Sequence, residues 1–167
     1  MSKNIPKTEL LYTKSKPIDH LSLFDGVSLM IKEQKDAVLV VKKAAKSIEN
    51  AIDAIYKHLI LNPKGRLIYV GAGTSGRIGV QDGVELYPTF NWPIERVDFI
   101  IAGGNHALLK AVENAEDSIN QAKDIVIEKR IVQDDVVIGL AASGNTPFTC
   151  KVIEEANRKN ALTVSIS

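Results

Sequence analysis

Three times in this chain a short apolar run empties into a loop of glycine and small polar residues: LIYVGAGTSG at 67–76, VDFIIAGGN at 97–105 and DVVIGLAASGNTP at 135–147. Runs of this length, partly β-branched and bounded by glycine, read as strands covered on both faces, the condition of a parallel sheet. Leu162 to Ile166 begins a fourth. Segments of helical spacing lie between them, so the expected fold is α/β, a parallel sheet with helices on both faces. All three complete strands end in loops of the same chemistry, and in such a sheet those ends share one edge, where the binding crevice forms. A polar pocket suited to an anion is the leading reading of that pattern.

The first loop carries most of the detail. Gly71, Gly73 and Gly76 allow positive φ and close approach of the backbone, and Thr74 and Ser75 add hydroxyls where a helix begins. The free N–H groups of that first turn attract phosphate. The spacing Gly71-x-Gly73-x-x-Gly76 also matches the dinucleotide fingerprint, which wants an acidic residue about 20 positions on, at the end of the second strand. Asp98 falls in that window but at the beginning of its strand, the wrong edge of the sheet. A dinucleotide site and a plain tight turn remain the alternatives. In the third loop Thr146 is placed to cap the next helix, with Pro147 in its first position. A capping role is the alternative for both Ser75 and Thr146. Arg77 can meet the ligand or a neighbouring acid. Asp82 reads as structural, His20 and His58 as surface residues, and His106 lies beside the crevice with no role assigned.

Outside this frame, residues 1–17 hold two prolines and four lysines with little periodicity, the mark of an extended arm. Leu21, Phe24, Val27 and Met30 suggest one short helix over 18–33, with Gly26 as a break. From Asp36, an apolar face of Val41, Ala44, Ala45, Ile48, Ala51, Ile52, Ile55 and Leu59 predicts a helix of six or seven turns, stopped by Asn62-Pro63-Lys64-Gly65. A helix is also expected from about His106 to Ala122, on the spacing of Leu108, Ala111, Val112, Ala115 and Ile119. The domain organisation so read is an arm and short helix at 1–35 and one domain at 36–167. A formal charge of +1 gives no long-range attraction to nucleic acid or anionic membrane, so any anion site is local. The single cysteine, Cys150, excludes an internal disulfide. No signal-peptide core appears, and no run reaches the ~18 apolar residues of a membrane span. The expected location is cytoplasmic.

At the stretches LIYVGAGTSGRIGV, IIAGG followed by LLKAVENAEDS, and DVVIGLAASGNTPF, together with the surroundings of Glu85, the chain resembles the sugar isomerase, or SIS, family of phosphosugar-binding domains. Within it, the nearest likeness is to the N-acetylmuramic acid 6-phosphate etherases and their relative, the glucokinase regulatory protein. The resemblance runs from about Asp36 to Ser167, with a looser match at Thr8-Glu9. It implies a three-layer, flavodoxin-like parallel sheet preceded by N-terminal helices. Only the first half of the family pattern is covered, so that sheet would be incomplete at its C-terminal side. It also implies a homodimer whose N-terminal helices pack across subunits.

The reaction implied is cleavage of the D-lactyl ether at C3 of the sugar phosphate by elimination and then addition of water, with no metal or organic cofactor. By position the catalytic pair falls on Glu85, proton donor to the leaving lactate, and Glu116, the base. Phosphate and sugar would be held by Gly73, Thr74, Ser75, Gly76 and Arg77 on the first loop and by Ser143, Gly144, Asn145 and Thr146 on the third. A helix through 106–122 would set Glu116 at the border of its apolar stripe and turn Glu113 and Asp117 outward. The chain departs from the family in three places. Gly83-Val84-Glu85-Leu86-Tyr87-Pro88 stands where Ala-Ser-Glu-Cys-Pro-Pro is usual, Asn145 where an arginine is usual, and Tyr12 where the N-terminal pattern ends in asparagine.

Overall fold

The computed structural model describes residues 16–167. The N-terminal arm, with Thr8, Glu9 and Tyr12, lies outside the described residues. The chain divides into two compact units, one reaching Ala54 and one formed by Ile55–Ser167.

In the first unit, Ser22 caps helix α1 (Leu23–Lys43), its Oγ accepting from the Asp25 N–H at 3.1 Å. This capping satisfies one of the donors that every helix start leaves free. Helix α2 (Ala45–Leu61) follows after the single residue Ala44, and its residues from Ile55 on belong to the second unit. The break therefore falls at Ala44 and not between residues 33 and 36. Gly26 does not interrupt α1; it is buried in the helix, with space beyond its backbone filled by Ile18. The domain boundary read at 35/36 lies inside α1. Much of the apolar face of α1 is open: Leu23, Phe24, Val27, Met30 and Ile31 are all exposed.

The second unit is a three-layer sandwich around strands β1 (Leu67–Gly71), β2 (Val97–Ile101), β3 (Val136–Leu140) and β4 (Leu162–Ile166). They form one parallel sheet in the order β2-β1-β3-β4. Alternate residues of each strand serve opposite faces. Ile68, Val70, Ile100 and Val137 pack against Ala122 and Val126 of helix α5 (Ile119–Glu128) and Phe148, Val152 and Ala156 of helix α6 (Pro147–Arg158). Leu67, Tyr69, Val136 and Ile138 pack on the other face with Leu59 and Ile55. There, helix α3 (Gly73–Val84) crosses the sheet so closely that a Cβ at Gly79 or Gly83 would meet Tyr69 and Leu140 or Phe99.

Between β2 and α5 the expected helix from His106 to Ala122 does not form. Two three-ten turns, Gly104–Leu108 and Ala115–Asp117, occupy that stretch. Gly103, Gly104 and Asn114 take positive φ there, which interrupts any helix, and regular structure resumes only at Ile119.

At the amino edge of the sheet, Asp135 is a buried carboxylate that accepts from the Arg66 N–H at 3.0 Å, from Arg66 Nη2 at 2.7 Å and from the Val132 N–H at 3.1 Å. Arg66 also faces Asp98, which pairs with Lys129 at 2.6 Å. The bond to Asp135 holds the Arg66 guanidinium above its usual range.

Candidate functional site at the carboxyl edge of the sheet

The sheet order sends the chain from β1 to one side for β2 and to the other side for β3, so the loops after β1 and β3 leave the sheet as neighbours. Gly71 is in register with Leu140, and this point of divergence is where an open parallel sheet opens a crevice.

The β1 loop turns directly into α3, whose N-cap is Ala72. Its glycines have different duties. Gly73 takes φ +52°, whereas Gly71 and Gly76 permit contact: a Cβ on Gly71 would lie 2.7 Å from Gly76 N, and one on Gly76 would lie 2.9 Å from Gly71 O. No side chain caps α3, and its first-turn N–H groups stay available at the mouth of the loop. Ser75 sits inside that first turn and is not the cap.

The β3 loop ends on α6, with Thr146 at the N-cap and Pro147 in the first turn as the sequence indicates, yet the Thr146 hydroxyl makes no capping bond. Ser143 Oγ accepts from the Asn145 N–H at 3.2 Å, and Gly144 takes φ +69°. Cys150, one turn into α6, is exposed, and its thiol donates to the Gly144 carbonyl at 3.5 Å. Two uncapped helix starts, with the four hydroxyl side chains of Thr74, Ser75, Ser143 and Thr146 and with Asn145 around them, make the loops suited to a phosphate by dipole and hydrogen bond rather than by cation.

Beside the β1 loop, on its β2 side, lies a cavity of about 240 Å³. Gly73, Thr74, Arg77, Glu113 and Glu116 are among the residues that line it; Ser143 to Thr146 are not. Glu116 reaches it from the three-ten turn Ala115–Asp117, so the helical placement inferred for it does not apply, and Glu113 is not turned away. Arg77 shapes the wall: its Nε donates to the Ala107 and Leu108 carbonyls at 2.9 and 3.2 Å, and its Nη2 to the Lys110 carbonyl at 3.2 Å. These bonds go to backbone carbonyls and not to a neighbouring acid.

Glu85 stands elsewhere. It follows the twelve residues of α3, about 18 Å along the helix from Gly73, and begins the short helix α4 (Leu86–Phe90). Leu86 O accepts from Trp92 N–H, Trp92 Nε1 donates to Arg96 O, and Arg96 Nε donates to Gly65 O. That chain of bonds ties the neighbourhood of Glu85 to the amino edge of the sheet, while Ala72 and Ala102, directly after β1 and β2, line the cavity at the opposite edge. One chain does not bring Glu85 and Glu116 together. The surface next to Glu85 is apolar, with Val84, Tyr87, Phe90 and Ile94 exposed and a groove of about 220 Å³ lined by Gly83, Val84, Tyr87, Ile94, Val97 and Phe99.

Asp82 is structural, accepting from the Tyr69 hydroxyl at 2.9 Å; burial first, and then this bond, pushes the Tyr69 phenol well above its ordinary 10. His20 is exposed, as read. His58 is not a surface residue in the full sense, for it is half-buried and its Nε2 has no hydrogen-bond partner. Asp98 sits at the beginning of β2 in the ion pairs with Arg66 and Lys129, away from the crevice. Among the described residues no helix is long and apolar enough to cross a membrane.

Comparison with known proteins agrees with this architecture. The chain is 43% identical over 150 residues to an N-acetylmuramic acid 6-phosphate etherase of Pasteurella multocida, covering 90% of this chain and 49% of that protein. With the etherase of Clostridium botulinum it shares 43% identity over 161 residues, 96% of this chain and 53% of the relative. It thus spans about half the length of the curated relatives it matches. Among solved structures, the phosphoheptose isomerase of Francisella tularensis superposes with a TM-score of 0.62 at 21% identity, over 87% of this chain and 75% of that one. The phosphoheptose isomerase of Neisseria gonorrhoeae gives 0.59 at 15%, over 86% and 74%. At such identities the likeness is one of fold, and it is the α/β parallel sheet read from the sequence. A family model, that of the glucokinase regulatory protein N-terminal SIS domain, matches residues 43–157, and the chain belongs to this family.

Proposed function

We propose that this chain carries the phosphosugar-binding and etherase half-site of an N-acetylmuramic acid 6-phosphate etherase, acting in the cytoplasm. The observation that carries the reading is the adjacency of two uncapped helix starts at the sheet's point of divergence to a cavity lined by a carboxylate, Glu116. Phosphate rests on Gly73 to Gly76 and Ser143 to Thr146, and the sugar ring extends into the cavity. Glu116 removes the C2 proton, and a second carboxyl protonates the ether oxygen as D-lactate leaves. Water then adds at C3, giving N-acetylglucosamine 6-phosphate. An alkoxide is a poor leaving group and the C2 proton is only weakly acidic, so acid and base each contribute on the order of 10²- to 10⁴-fold.

The acid is Glu85 of a second copy. Its distance from Glu116 within one chain and its apolar surroundings both support a homodimer in which α4 of one copy approaches the carboxyl edge of the other. The open apolar face of α1 supports pairing as well. A coupled assay of D-lactate release tests the reading. Glu116→Gln is expected to lower the rate at least 100-fold, and a rate unchanged by that substitution would sink the assignment.

A phosphosugar sensor without turnover is the second reading. What favours it is the replacement of usual family residues by Val84, Leu86, Tyr87 and Asn145. Thermal stabilisation by the sugar phosphate with no lactate formed would select it.

A further inference from the structure

Glu113 lines the same cavity as Glu116, and neither the proposed acid and base nor the phosphate loops account for it. The two carboxylates stand on either side of Asn114, whose φ of 58° puts a residue other than glycine in the left-handed region. Such backbone persists where its surroundings over-determine it, and it gathers at ligand sites. Arg77 fixes the same wall through the carbonyls of 107–110. The charged side chains lining the cavity are therefore two carboxylates and one guanidinium, and the guanidinium directs Nε and Nη2 at backbone. Carboxylates accept hydrogen bonds and repel anions. A lining of this kind suits the hydroxyl and amide N–H groups of a sugar and is unfavourable for its phosphate.

We propose that Glu113 is a binding residue for the uncharged part of the ligand, accepting from a sugar hydroxyl or the N-acetyl N–H. With Glu116 it sets the direction in which the ligand lies, ring in the cavity and phosphate on the loops before α3 and α6. The proposal rests on the phosphosugar reading given above and adds to it an orientation and a residue. Calorimetric titration of wild type, Glu113→Gln and Glu113→Asp with N-acetylglucosamine 6-phosphate and, separately, with inorganic phosphate tests it. Glu113→Gln keeps the shape and removes the charge, and is expected to weaken the sugar phosphate about 10-fold, as loss of a charged hydrogen-bond acceptor does. Inorganic phosphate, held on the loops, is expected to bind within about twofold of wild type, and Glu113→Asp to recover part of the loss. An unchanged affinity for the sugar phosphate overturns the proposal, and so does a phosphate affinity that moves with it in either direction. If wild type binds neither ligand, the phosphosugar reading fails first and this inference with it.

Discussion

Asp135 is 1% exposed and meets two backbone N–H groups and the Arg66 guanidinium, so its charge is compensated on every side that the fold presents to it. Removing one member of such a pair leaves the other desolvated and unpaired, which costs about 3–5 kcal/mol. Asp135→Ala is expected to lose about 3 kcal/mol in urea denaturation, while Glu154→Ala, which removes an exposed i,i+4 partner of Arg158, is expected to leave the unfolding midpoint almost unmoved. Tyr69 gives a pH dependence of known sign. Its folded phenol is raised, so the native state retains a proton that the unfolded chain releases above about pH 10. The stabilisation is complete below that pH and is lost as pH rises toward the folded value. Tyr69→Phe lacks this group, and the stability gap between wild type and variant is expected to narrow between pH 8 and pH 11 in chemical denaturation. A constant gap would remove the link to ionisation.

The loop from Gly103 to Ser118 is the element in which local pattern and tertiary structure disagree. Leu108, Ala111, Val112, Ala115 and Ile119 have helical spacing, yet positive φ at Gly103, Gly104 and Asn114 breaks the stretch into turns that wall the cavity. What organises them is remote in sequence: the Arg77 guanidinium, thirty residues earlier, bonded to three of their carbonyls. Periodicity registers neighbours along the chain and is blind to such a clamp. Arg77→Ala is expected to speed amide hydrogen exchange through 104–118 at least tenfold while leaving the strands protected, a local opening and not global unfolding. Equal acceleration in β1 and β3 would refute that. The strands themselves were legible from the sequence, because β-branched runs such as Val136 to Ile138 are buried on both faces whatever their neighbours. Their order in the sheet was not, since nothing in Leu67 to Gly71 records that β2 and β3 lie on opposite sides of it. For the candidate site, the strand pattern indicated that both Gly-rich loops lie at the carboxyl edge, but the place of Glu85 follows from the length of α3. The break at Ala44 had no signal, for it involves neither glycine nor proline.

At the scale of the whole molecule, the proposed chemistry needs two copies, because one chain holds Glu116 at one edge of its sheet and Glu85 toward the other. Mixing inactive Glu85→Gln with inactive Glu116→Gln is expected to restore lactate release in mixed dimers that retain one intact pair, up to about a quarter of the wild-type rate for random exchange. No recovery, with exchange verified by sedimentation of tagged chains, would mean that each copy works alone or not at all. Cys150 offers a direct view of the same crevice. It is the sole thiol of the sequence, it is open to solvent, and it bonds to the carbonyl of Gly144 in the β3 loop. A fluorophore attached there would sit at one known address per subunit, so its emission would follow ligand arrival and departure in real time without any engineered label site.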